Sequence, residues 1–118
     1  MSEPSYFAVV ANDRQGCTAL RAQTKEHHRH HLDTGATGLR VLQTGPLLDA
    51  HGGEIGSLLI LEAQSQAIVE AFMAADPYAE AGLFANLAIY PWLWRRGNPY
   101  LERETDRARA TDQPKGQA

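Results

Sequence analysis

Six segments of alternating character constrain what this chain can fold into. Tyr6 to Ala11 is apolar, partly aromatic and β-branched, and reads as a strand that gives way to turn chemistry at Asn12-Asp13-Arg14-Gln15-Gly16. A helix is expected from Cys17 to Asp33, ended by Gly35 and Gly38. Leu39 to Thr44 reads as a second strand stopped by Gly45-Pro46, and Leu47 to Gly56, with its glycines, as a hairpin loop. Ser57-Leu58-Leu59-Ile60-Leu61 is a third, almost wholly apolar strand. Ser65 is placed to cap a second helix through Ala75, because Ile68, Ala71, Phe72 and Ala75 recur on one helical face. Pro77 ends that helix by disfavouring helical geometry at Asp76. Leu83 to Tyr90 completes the pattern as a fourth strand.

The order β-α-β-β-α-β is the split βαβ arrangement of an α+β, ferredoxin-like domain: a four-stranded antiparallel sheet with two helices on one face. That topology leaves the other sheet face bare, yet strands one and three are apolar at nearly every position, as strands buried on both faces are. With 118 residues, 43% of them hydrophobic, the chain can build one modest core, and a domain of that size hides little surface unaided. A homodimer packed sheet to sheet is therefore expected. The alternative is a monomer whose open face carries a ligand or the aromatic segment Tyr90 to Trp94. The domain is read as residues 1–101; residues 102–118 are almost all charged or polar and are expected to form a mobile tail.

Charge and composition narrow the functional classes. The formal net charge is -3, from 11 basic and 14 acidic residues mixed along the chain, without the basic stripe that neutralises phosphates; Arg95-Arg96 is too short to serve. Nucleic acid is not an expected partner. No apolar run approaches the ~20 residues of a membrane span, and Met1-Ser2-Glu3-Pro4 lacks the start of a signal peptide, so a cytoplasmic protein is expected. The single cysteine, Cys17, excludes an intrachain disulfide and fits a reducing compartment; it is expected as a small buried packing residue rather than a reactive thiol.

The run His27-His28-Arg29-His30-His31 holds four of the five histidines. His27 and His31 have the i, i+4 spacing that chelates a divalent metal, but a convergent third ligand is missing from the pattern, Asp33 being merely local. No metal and no cofactor are assigned. Arg21, Lys25, His28 and Leu32, separated by steps of four, three and four, line one side of the helix. Cations beside a histidine favour its neutral form, which suits a general base, and an arginine fork fits a carboxylate. A small-molecule ligand with an anionic group is thus expected at Arg21 or Lys25, although a solvated helix face shows the same spacing. Asp76, at the exit of the second helix, would approach His28 if the two helices lie side by side. A carboxylate paired with an imidazole fixes its tautomer, as in many acid–base sites, whereas an isolated aspartate there is an ordinary turn residue. Ser57, at the mouth of a strand, offers a hydroxyl either to a ligand or to the neighbouring loop.

Taken together these residues resemble the YciI-like (YCII-related) family over roughly residues 5 to 94. The resemblance rests on Arg21 and Lys25 ahead of His28 with Leu32 after it, then Gly45-Pro46, Gly56-Ser57, Asp76-Pro77-Tyr78 and Ala81-Gly82-Leu83 in order. It implies a dimeric ferredoxin-like domain related to muconolactone-isomerase-type proteins. It also implies an active site around a His–Asp pair, falling on His28 and Asp76, with Ser57 near the pocket. A family member linked to dechlorination implies a lyase or dehalogenase reaction. The chain departs from the family pattern at Lys25, Arg29 and His31, in a shorter loop after strand two, and at Trp92-Leu93-Trp94. The expected protein is an acid–base enzyme of lyase, isomerase or dehalogenase type, in which His28 moves a proton and Asp76 orients it, while Arg21, Lys25 and Ser57 bind substrate. The alternative is a non-catalytic small-molecule-binding or assembly module of the same fold.

Overall fold

The structure, a computed structural model, describes residues 5–100. Its elements run β1 (Ser5–Asp13), α1 (Thr18–Thr34), β2 (Leu39–Leu48), β3 (Glu54–Ala63), α2 (Gln66–Ala74), α3 (Pro77–Glu80) and β4 (Phe84–Trp92). The strands form one antiparallel sheet in the order β2-β3-β1-β4. This is the ferredoxin-like α+β arrangement expected from the element order. The expected tail, residues 102–118, and the first residues Met1 to Pro4 lie outside the described residues.

The register explains where the core sits. Val9 lies opposite Leu59 on one side and Ile89 on the other, and Phe7 opposite Leu61, so these side chains share one sheet face. Against that face α2 lays Val69, Phe72 and Met73, all buried with Phe7, Val9, Leu59 and Leu61. Ser65 caps α2 by accepting a hydrogen bond from the Ile68 N–H at 3.3 Å. The long helix α1 differs. Its only buried residues are Arg21 and His28, and it packs mainly against the short α3. A helix whose inward stripe is polar cannot be held by apolar burial alone.

Several boundaries differ from the sequence pattern, each for a physical reason. β2 does not stop at Gly45-Pro46 but continues to Leu48, with Pro46 opposite Ser57. A proline is tolerated there because β2 is an edge strand and one of its sides has no ladder to feed. The loop to β3 shrinks accordingly to residues 49–53, where Asp49 accepts hydrogen bonds from the N–H groups of His51 and Gly53. Gly56 belongs to β3, where a Cβ would lie 2.5 Å from the carbonyl oxygen of Ala11, so only glycine permits this approach of β3 to β1. Pro77 ends α2 and also begins the unexpected α3 as its first residue. Cys17 is half-buried at the start of α1, not enclosed in the core.

The open sheet face carries Leu58, Ile60 and Tyr90, and its far end is covered by the chain itself. Trp94 meets Tyr6 edge-on with ring centroids 5.5 Å apart and stacks on Trp92 at 4.7 Å. The Tyr100 hydroxyl then donates to the carbonyl of Leu42 at 2.7 Å. Since β4 and β2 are opposite edges, the segment after β4 straps the sheet from one edge to the other. Elsewhere the face stays bare: Leu58 is 39% and Tyr90 56% exposed. No helix among the described residues is long and apolar enough to cross a membrane.

Candidate active site

Asp76 stands in the break between α2 and α3, in extended backbone with φ −63° and ψ 130°. Its Oδ1 accepts the Tyr78 N–H at 2.9 Å, capping α3. That local bond fixes the carboxylate so that both of its oxygens face His28, with Nδ1 2.9 Å from Oδ1 and 3.0 Å from Oδ2. A carboxylate only accepts, so Nδ1 carries the proton and donates. Asp76 is fully buried and His28 nearly so. The Tyr78 ring stacks on the His28 imidazole at 4.0 Å between centroids and 18° between planes, which leaves the ring little freedom to turn.

His28 borders a cavity of about 220 Å³. With Nδ1 held, Nε2 is the ring nitrogen without a hydrogen bond among the described residues. Lys25 and Leu32 line the same wall from α1, Thr44 and Pro46 close it from β2, and Glu54 and Ser57 from β3. The structure thus gathers all five candidate residues, His28, Asp76, Arg21, Lys25 and Ser57, in and around one space.

Arg21 occupies an unexpected position. Its Nε donates to Asp13 Oδ2 at 2.7 Å, and its Nη2 donates both to Asp13 Oδ1 at 3.1 Å and to Ser57 Oγ at 2.8 Å. Nη1 is 3.8 Å from Glu54 Oε1. The guanidinium also lies over the Tyr78 ring, 4.7 Å from its centroid. Burial works against its charge, but the hydrogen bond and charge of Asp13 outweigh this and raise the pKa above its ordinary value. The Nε and Nη2 side of the fork is therefore engaged from within the chain, while Nη1 has, among the described residues, only its ion pair with Glu54, and Arg21 still lines the cavity. Lys25 lines the same cavity and has no hydrogen bond or ion pair among the described residues. For the Tyr78 phenol burial raises the pKa, although Arg21 pulls it the other way.

The histidine cluster divides by direction. His31 stacks on Phe72 at 4.2 Å, and its Nε2 donates to the Phe72 carbonyl at 2.9 Å, which withdraws that nitrogen from any His27–His31 chelate. Among the described residues no three metal-ligating side chains converge. Asp13 and Tyr78 escaped the sequence reading as parts of the site. Asp13 was hidden in turn chemistry, and the only signal for it was an acidic residue at the end of a strand eight positions before Arg21. Tyr78 belongs to the Asp76-Pro77-Tyr78 motif, which by itself gives it no role.

The YCII-related domain matches residues 5–93. The chain belongs to the YCII-related family. Within it, the chain is 27% identical over 93 residues to an uncharacterized protein from Haemophilus influenzae, covering 74% of this chain and 95% of that one. Among solved structures it is similar to 5-chloro-2-hydroxyhydroquinone dehydrochlorinase (TftG) from Burkholderia phenoliruptrix AC1100, in complex with 2,5-dihydroxybenzoquinone. That match has 30% identity and a TM-score of 0.66 and covers 78% of this chain and 95% of the other. Protein Atu4242 from Agrobacterium tumefaciens, 10% identical with a TM-score of 0.51 over 80% of this chain and 97% of its own, shares the fold. YCII-related membership thus accounts for the ferredoxin-like architecture and for the order of motifs along the sequence.

Proposed function

We propose that this YCII-related protein is a small-molecule acid–base enzyme of the lyase or dehalogenase kind, with His28 as the proton-transferring residue and Asp76 as its partner. The observation that carries this reading is the buried Asp76 carboxylate on Nδ1 of a histidine, His28, that borders a cavity. An imidazole held in one tautomer accepts a proton through Nε2, and the buried carboxylate balances the imidazolium that forms. In an elimination, a substrate proton would pass to Nε2, its bonding electrons would form a new double bond, and chloride would leave. Similarity to a dehydrochlorinase favours that class and points to oxygenated, ring-shaped substrates. Lys25 would hold an anionic group of such a ligand, and Ser57 borders the same space.

We place the protein in the cytoplasm, where a lone cysteine stays reduced, and infer a homodimer that covers the bare part of the sheet around Leu58 and Tyr90. The test of the enzyme reading is chloride release from 5-chloro-2-hydroxyhydroquinone by the wild type and by His28→Asn. Asparagine keeps an N–H donor near the position of Nδ1 but removes Nε2. Turnover should vanish while the melting temperature stays within a few degrees. Equal chloride release by His28→Asn would overturn the assignment. The second reading, a binding module with a structural His–Asp pair, draws support from the cap that Asp76 makes on α3; it predicts ligand-induced stabilisation without turnover.

A further inference from the structure

Asp13, Arg21 and Ser57 form a buried polar chain beside the cavity that, among the described residues, shares no hydrogen bond with the His28–Asp76 pair. Each link has a direction. A guanidinium has donors and no acceptor, and a hydroxyl has one proton and two lone pairs. The bond from Arg21 Nη2 therefore occupies a lone pair of Ser57 Oγ and leaves the serine proton to be given elsewhere. Ser57 is 4% exposed and lines the cavity. Nothing among the described residues takes that proton, so the acceptor it faces is whatever enters the cavity.

We infer that Asp13 and Arg21 are positioning residues that make the Ser57 hydroxyl an obligate hydrogen-bond donor to an oxygen atom of the ligand. Asp13 fixes the guanidinium by two bonds, at 2.7 and 3.1 Å, and the guanidinium in turn fixes and polarises the hydroxyl at 2.8 Å. Arg21 thus acts on the ligand's oxygen through Ser57. The ligand class that follows is a molecule with an acceptor oxygen, a carbonyl, enolate or phenolate, set against Ser57 while another part faces His28 Nε2. This rests on the site being a small-molecule site as proposed above, and it adds which atom type the sheet side of the cavity selects.

The experiment is a double-mutant cycle on the full chain, with 2,5-dihydroxybenzoquinone as the probe and its Kd as the readout. Ser57→Ala and Asp13→Asn should each weaken binding about 10-fold, as expected for one lost polarised hydrogen bond. The double variant should be no weaker than Ser57→Ala alone, because Asp13 works through Ser57. If Asp13→Asn fails to fold, Asp13→Glu, which keeps the charge and misplaces it, should show the same pattern. Multiplicative losses approaching about 100-fold in the double variant would overturn the relay. Unchanged affinity in Ser57→Ala would overturn the donor role while leaving the His28 reading intact. A non-additive cycle together with undiminished chloride release by His28→Asn would do the reverse. A wild type that does not bind the probe would remove both.

Discussion

Replacing Asp76 by alanine should cost far more than the loss of an ordinary helix cap, and the excess measures the bond to His28. Asp76 is fully buried and does two things at once: it accepts the Tyr78 N–H and the His28 Nδ1–H. Loss of an N-cap costs about 1 kcal/mol, and stranding a buried donor such as Nδ1–H costs about 1–3 kcal/mol more, for a sum of about 2–4 kcal/mol. At roughly 4–8 °C per kcal/mol for a domain near this size, the melting temperature should fall by roughly 8–32 °C. Asp76→Asn keeps one acceptor oxygen for the cap and should cost only about 1 kcal/mol. Ser65→Ala supplies the control, since Ser65 caps α2 and has no histidine to serve; it too should cost about 1 kcal/mol. Urea unfolding at neutral pH, followed through the fluorescence of Trp92 and Trp94, measures all three. If Asp76→Ala and Ser65→Ala cost the same, the His28 bond contributes nothing to stability. If Asp76→Asn is as costly as alanine, the two-job account of the carboxylate is wrong.

Gly56→Ala should destabilise by about 1–3 kcal/mol, because the new Cβ would meet backbone, the Ala11 carbonyl, at 2.5 Å, and neither strand can yield without breaking register; the same urea titration checks it. Tyr78 should make the fold alkali-sensitive. Its folded pKa is raised above the ordinary 10.0, so above pH 10 the unfolded chain gives up this proton first, the native state holds more protons, and stability falls as pH rises. Tyr78→Phe should flatten that decline, and a titration of phenolate absorbance should show one of the four tyrosines lagging in wild type and missing in the variant. Tyr90→Glu places a charge on the bare part of the sheet face and should shift a sheet-packed dimer to the 13.0 kDa monomer in light scattering, without loss of helix signal in circular dichroism.

The architecture was legible in the sequence because apolar runs and helix-spaced residues are local signals, and their order admits few topologies. The errors fell where a local rule met a tertiary exemption. Gly45-Pro46 reads as a strand stop, but an edge strand has no hydrogen bond to lose on its outer side, so β2 runs through it. Pro77 reads as a stop for one helix, and its other use, starting the next, put Asp76 in the cap position. The stripe of Arg21, Lys25, His28 and Leu32 was visible from spacing alone. Its internal division was not: Arg21 is claimed by Asp13 from another strand end, and no periodicity reveals which of two neighbouring cations finds an intrachain partner. His28 and His31 looked equivalent in the cluster. One turns to a carboxylate and the other to a carbonyl, a difference set by what α2 and α3 present to each.

The polar inner stripe of α1 has a consequence for how this molecule breathes. Cooperative units that open easily are those with few buried apolar contacts, and α1 buries only Arg21 and His28, whereas α2 buries Val69, Phe72 and Met73. Amide protons in the middle of α1 should therefore exchange through a partial opening of lower free energy than the one that exposes α2 and the central strands. A ligand bridging His28 on the helix and Ser57 on the sheet would tie the two together. Occupancy would then be written into the exchange rates of a whole helix, and slow α1 amides would report a filled cavity without any knowledge of the reaction.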